Sequence, residues 1–258
     1  MKRFPIVLLS VLAACTGQPK APTSLNPPQP AAKPASPQER ARIHTELAAL
    51  YYSRGNHGVA LQESMVAIEA DPQYGPAYNV LGLVQMELKE DTAADRSFQQ
   101  ALAINPNDSE ANNNYGWFLC NRGREKEAIA YFLAAVRNPL YQTPELAYTN
   151  AGICSLKLGS DKEAESYLLQ ALKLRPGQPR ALQALAEIYY QRGDYTGTKQ
   201  LVGRFLEVAQ PTPEVLWLGV ISARRLGDRN AEASYGMQLR RRFPDSKEAL
   251  ALKSGSYP

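Results

Sequence analysis

The side chains best able to do chemistry are three cysteines, Cys15, Cys120 and Cys154, and two histidines, His44 and His57. Neither histidine has a Cys or carboxylate pattern beside it that reads as a metal site, so a surface or core role fits both. There is no Gly-rich phosphate loop, no Gly-x-Ser-x-Gly elbow and no metal-ligand spacing. Carboxylates such as Glu125 and Glu127 read as solvated helix faces. The residues therefore point to no catalytic group, no metal and no cofactor, and to a protein that is not an enzyme. What remains is thiol chemistry: one Cys near the N-terminus, and two spaced 34 residues apart.

The first of these follows a secretory pattern. Met1-Lys2-Arg3 is positively charged, and Phe4 to Ala14 is a short apolar run. Eleven residues are too few to cross a bilayer core as a helix, which takes about 20. The segment reads as a cleaved signal peptide, residues 1–14. It ends Leu12-Ala13-Ala14-Cys15, which resembles the lipobox of bacterial lipoproteins. Small residues fit a narrow peptidase cleft, and the Cys15 thiolate takes a diacylglycerol as a thioether. The resemblance implies lipidation at Cys15. It also implies the periplasmic face of the outer membrane, because Thr16 stands where an Asp commonly signals inner-membrane retention.

Residues 16–38 contain seven prolines and no periodic apolar pattern. Such a stretch cannot repay its ordering entropy through a core. With the lipidated Cys15 it reads as a Pro-rich tether, residues 15–38, reaching up to about 70 Å at roughly 3.1 Å per residue. Without Lys2 and Arg3 the chain carries 27 basic against 25 acidic groups, too even a balance to argue for nucleic acid.

Beyond the tether the prolines keep time. Pro72, Pro106, Pro176, Pro211 and Pro244 recur at multiples of about 34 residues, and so do Gly55, Gly123, Gly159, Gly193 and Gly227. A period near 34 names the tetratricopeptide (TPR) repeat, a helix-turn-helix unit. Six repeats are expected over residues 39–253, with a short tail at 254–258. The second matches best, through Tyr78, Leu81, Gly82, Ala94, Phe98, Ala101 and Pro106. The fifth is degenerate, with Thr198 where Ala is expected. The sixth reads from Leu218, Gly219, Ala231 and Tyr235, with Gly227 and Pro244 one residue late. Lys89 stands where other repeats carry a turn Gly. Ser160-Asp161-Lys162-Glu163 fits a capping box, and Thr143-Pro144 and Thr212-Pro213 fit helix starts. One hairpin cannot bury its apolar face alone, so the fold class is all-α, a right-handed superhelical solenoid with a concave groove.

This register places the other two thiols. Cys120 and Cys154 fall at similar positions on the first helices of adjacent hairpins, so a disulfide can staple repeats three and four, the alternative being two buried free thiols. Groove-facing positions of the first helices include Tyr52, Asn79, Leu83, Met86, Asn113, Trp117, Asn121 and Tyr190. Asn side chains suit a partner's exposed backbone, and Trp117, Leu83 and Met86 suit its apolar side chains. The other reading is that Trp117 and Met86 pack on a neighbouring first helix, and that Asn112 to Asn114 have capping roles at one helix start.

Some stretches are more particular than a generic TPR. They are Asn112-Asn113-Asn114-Tyr115-Gly116-Trp117-Phe118-Leu119-Cys120, Asn138-Pro139-Leu140-Tyr141, Asn150-Ala151-Gly152-Ile153-Cys154 and Arg242-Phe243-Pro244-Asp245-Ser246. With the lipobox they resemble the type IV pilus biogenesis and stability lipoproteins, the PilF/PilW pilotin family, over essentially the whole mature chain. The resemblance implies a monomeric outer-membrane scaffold that binds the pilus secretin subunit, or stabilises assembled pili. The alternative is another envelope TPR lipoprotein, serving β-barrel assembly or peptidoglycan synthesis.

Overall fold

The computed structural model describes residues 35–257, and these form thirteen α-helices and no strand. Residues 1–34, including the expected signal peptide and Cys15, lie outside the described residues. Six hairpins pair α1 (Pro37–Ser53) with α2 (His57–Ala70), α3 (Gly75–Glu87) with α4 (Asp91–Ile104), and α5 (Ser109–Cys120) with α6 (Glu125–Ala135). They continue with α7 (Pro144–Lys157) and α8 (Asp161–Leu174), α9 (Pro179–Gln191) and α10 (Tyr195–Val208), and α11 (Pro213–Arg225) and α12 (Arg229–Arg242). A last helix, α13 (Lys247–Ser254), packs on α11 and α12 where a seventh first helix would stand.

The ends of the expected domain shift slightly. The first helix starts at Pro37, with Ser36 Oγ accepting from the Glu39 amide at 3.1 Å, so the last residues of the Pro-rich stretch are helical. At the other end α13 runs to Ser254, and Tyr257 stacks on Trp217. Pro144 and Pro213 occupy the first turns of α7 and α11 as expected. The capping box does not form: Ser160 is the N-cap of α8, but its side chain accepts no cap hydrogen bond.

Every hairpin turn is closed in the same way. The amide after the turn residue returns to a carbonyl five residues back, as in Asn56 to Tyr51, Arg124 to Leu119 and Asp228 to Ala223. This Schellman closure needs a left-handed residue. Five hairpins supply Gly, at φ from +72° to +83°, and the second forces Lys89 to φ +64°. A side chain in that region costs roughly 1–2 kcal/mol. Lys89→Gly should therefore stabilise the protein by about 1 kcal/mol after the extra unfolded-state entropy of Gly. A melting temperature raised by about 2–4 °C is the expected reading for a domain of this size, and a lowered one would refute the strain.

Helix pairing within a hairpin rests on a trade of volume between two positions 16 residues apart. A Cβ on Gly82 would lie 2.8 Å from Phe98, one on Gly116 2.8 Å from Phe132, and one on Gly152 2.6 Å from Leu168. Where the first position is Ala, its counterpart is smaller: Ala48 goes with Ser64, and Ala186 with Val202. The sixth hairpin makes the same trade between Gly219 and Tyr235, where a Cβ on the glycine would lie 2.8 Å from the ring. Its turn glycine, Gly227, follows Gly193 by 34 residues, so it comes one residue later after Gly219 than in the other hairpins, as expected. At the register of Gly82 and Phe98 stand Val220, fully buried, and Gly236.

The large side chains also bridge hairpins. Phe98 lies 5.7 Å from both Tyr115 and Phe118 of the third hairpin, and Tyr115 lies 4.7 Å from Tyr131. First helices pack on first helices all along the stack, α1 on α3 through α11 on α13, while no two second helices pack together. The first helices therefore form the inner, concave row.

A candidate peptide groove on the inner helix row

The groove is built on α5, α7 and α9, and its register is set by one irregularity. Connections between hairpins take four residues, as in 105–108, except between α6 and α7, where residues 136–143 take eight. Tyr141 of that connector is buried against Ala135 and Ala147, and Leu140 points out at 78% exposure. The insertion moves α7 two residues on, so Gly152 follows Gly116 by 36 residues and not 34. Asn150 is thereby brought opposite Asn113.

The result is a chain of side-chain amides across the inner row. Asn114 Nδ2 donates to Asn79 Oδ1 at 3.2 Å, joining α5 to α3. Asn150 Nδ2 donates to Asn113 Oδ1 at 3.0 Å, joining α7 to α5. The Asn150 oxygen is left free to accept from the Arg180 guanidinium of α9 at 3.1 Å. Asn79, Asn113 and Asn150 are all buried, so each bond satisfies polar groups that would otherwise be costly. Asn112 has the other role that its sequence allows, since its Nδ2 donates to the Pro106 and Asp108 carbonyls and ties the helix start.

The expected groove residues divide accordingly. Asn79 and Asn113 turn their oxygens to neighbouring hairpins, each accepting from an asparagine of the next first helix. Met86 is buried with Phe98 and Tyr115, and Leu83 is half-buried against the same core. Tyr52 lies apart in the first hairpin, 5.8 Å from His57. Tyr190 lines a separate concavity of about 410 Å³ with Ile221, Arg224 and Tyr257. Trp117 and Asn121 come together through Lys157, whose Nζ donates to Asn121 Oδ1 at 2.9 Å and lies 5.7 Å from the Trp117 ring. Arg180 reaches the same ring at 4.7 Å.

Next to Trp117 opens a concavity of about 310 Å³, lined by Ile153, Leu156, Lys157, Arg180, Gln183, Ala184 and Glu187. None of these seven was expected from the sequence. Arg180 as a whole residue stays exposed, but its guanidinium is partly stripped of water, which pulls its pKa down. Burial pushes the Glu187 carboxyl above the ordinary range, and Glu214 adds to the rise, while a hydrogen bond from Gln183 at 3.1 Å opposes it. Beside this face Cys120 and Cys154 form a disulfide between α5 and α7, their Cα atoms 5.9 Å apart. Among the described residues no helix is long and apolar enough to cross a membrane.

Known proteins share this architecture. Models of the tetratricopeptide repeat match residues 75–108, 97–130 and 152–197. The chain is 31% identical over 198 residues to the type IV pilus assembly protein PilF of Pseudomonas aeruginosa, covering 77% of this chain and 79% of that protein. The solved structure of P. aeruginosa PilF superposes with a TM-score of 0.79 at 29% identity, over 85% of this chain and 99% of that one. A structure of PilW, described as a widely conserved type IV pilus biogenesis factor, gives a TM-score of 0.73 at 36% identity, over 82% and 97%.

Proposed function

The chain belongs to the family of the type IV pilus assembly protein PilF, TPR proteins of pilus biogenesis, and from that premise we propose that it is a lipid-anchored scaffold of the outer membrane that binds the pilus secretin subunit in its groove. The observation that carries the reading is the unbroken inner row of first helices, a surface suited to holding an extended or helical segment. No chemistry is asked of such a face; it acts by binding. A disulfide between α5 and α7 agrees with an oxidising compartment outside the cytoplasm. Lipid on Cys15 would keep the scaffold at the membrane, with residues 16–38 setting its reach. A held subunit then meets the membrane at a raised effective concentration, and insertion ceases to be a search through the periplasm.

The test is genetic. Deleting the gene, or making Cys15→Ser, should lower heat-stable secretin multimers in the outer membrane while secretin monomers persist, and surface pili and twitching should fall with them. The Cys15→Ser protein should still fold but wash off membranes in high salt, since anchoring rests on about 0.8 kcal/mol per buried CH₂ of its acyl chains. Normal multimers with lost pili would move the protein to a pilus-stabilising role. Normal pili would leave a scaffold for some other envelope assembly.

A further inference from the structure

Several cations in this solenoid meet carboxylates: Arg122 pairs with Asp91, Arg124 with Asp95 and Glu127, Arg192 with Glu165 and Lys199 with Asp228. Lys157 and Arg180 are placed differently. They come from different hairpins, converge on one aromatic ring, and form no ion pair with any carboxylate among the described residues. Each is held by a neutral oxygen, Asn121 for Lys157 and Asn150 for Arg180. The holding is itself supported, because buried Asn150 is fixed by Asn113. A partly dehydrated guanidinium without a counter-charge is costly to keep. Here it is held in place beside an open concavity floored by Ile153, Leu156 and Ala184.

We infer that this concavity between α7 and α9 is the docking site for an extended acidic segment of the partner protein, whose carboxylate side chain pairs with Arg180 and Lys157 while an adjacent apolar side chain sits on Ile153 and Leu156. Charge complementarity selects the occupant: Glu187 also lines the concavity but is bonded by Gln183 and pairs with neither cation, so Arg180 and Lys157 remain open to a carboxylate, and the Arg fork binds one through two parallel hydrogen bonds. The open concave face lets a chain pass through, which suits a side chain within a segment over a chain terminus. Gln183 gives its amide N–H to Glu187 and keeps its oxygen for a backbone N–H of the segment. The inference rests on the scaffold reading for what the partner is, and on the site alone for the partner's chemistry.

The test uses the full chain in detergent with Trp217→Phe, so that Trp117 is the remaining tryptophan and reports on the site. The probes are three peptides, acetylated and amidated, of sequence Ala-Leu-X-Leu-Ala-Ser, with X as Asp, Asn or Lys, and the Asn peptide again with its C-terminal carboxylate free. The Asp peptide should shift Trp117 emission and bind about tenfold more tightly than the Asn peptide, with the advantage shrinking as salt is added. The Lys peptide should not bind. Arg180→Gln should abolish the Asp preference, and Arg180→Lys should keep part of it, since charge survives without the fork. Lys157→Gln should weaken it without removing it. Unchanged helical circular dichroism in each variant excludes misfolding. Equal binding of the Asp and Asn peptides, or a preference untouched by Arg180→Gln, would overturn the site, as would binding only of a peptide with a free C-terminal carboxylate. If the peptides fail but secretin multimers still fall in the deletion strain, the docking site is wrong and the scaffold stands. If the Asp preference holds but pili are normal in that strain, the site stands and its partner lies outside the pilus.

Discussion

Replacing Cys120 and Cys154 together by Ala is expected to destabilise the middle of the stack by about 3–4 kcal/mol. The bond joins positions 34 residues apart, and on the chain-entropy model a loop of that length gains this much from being closed before folding. The loop it closes is the least regular part of the protein. It contains α6, the shortest of the second helices at 11 residues, and the eight-residue connector at 136–143. Both cysteines are buried within the core that holds Met86, Tyr115 and Phe118, so Ala substitution removes the link with little change of polarity. Repeat proteins open locally because each unit touches only its neighbours. Hydrogen exchange should therefore show the loss between α5 and α7, with the terminal hairpins nearly unchanged. Reductant added to the wild-type chain should reproduce the effect. Identical urea curves for the variant and the wild type would contradict it, as would two thiols that alkylate freely without reductant.

Gly152→Ala should cost about 2–3 kcal/mol, and adding Leu168→Val should recover most of it. The new Cβ would lie 2.6 Å from Leu168 Cγ and 2.8 Å from its Cδ2, closer than atoms pack, so the helices must part or the Leu must leave its rotamer. Leu168→Val alone leaves a void worth about 1 kcal/mol. In combination the two recreate Ala186 with Val202, the pair that the fifth hairpin already uses at the same register. A double-mutant cycle measured by thermal or urea unfolding should give a coupling of about 2 kcal/mol in favour of the pair. Simple addition of the two losses would mean that the volumes are not exchanged between these positions.

The fold was legible because a repeat states its rule several times. The 34-residue spacing of glycines and prolines is enforced locally, by left-handed turns and helix ends, and it survives one exception such as Lys89. Cys120 and Cys154 were legible as neighbours on adjacent first helices, although the 36-residue step from the third hairpin to the fourth sets them two register positions apart. Gly219 and Tyr235 were legible as a small–large pair, and what the sequence did not show is that Val220 and Gly236 stand at the register of Gly82 and Phe98 with large and small exchanged. The candidate site was less legible. Trp117 and Asn121 were visible from their register, but Arg180 was not, because its role depends on a two-residue insertion a whole hairpin earlier. A signal did exist: Lys157 and Arg180 are cations on adjacent first helices, neither with an acidic residue three or four positions away on its own helix. Finding it requires knowing that the fourth hairpin runs 36 residues after the third.

The inner row of first helices is fastened by packing, the asparagine bonds and one disulfide. Each second helix packs on the next first helix, as Phe98 of α4 does on Tyr115 and Phe118, and exposed ion pairs such as Arg124–Asp95 and Lys199–Asp228 add little in water. No two second helices pack on one another, so in mechanical terms the molecule is a strip that yields more readily along its outer edge than along its inner one. The disulfide pins the inner edge between the third and fourth hairpins, so compliance is confined to the joints on either side. A load applied at Trp117 or Arg180 passes along a stiff edge towards both ends of the stack, and the groove changes its curvature without changing its floor.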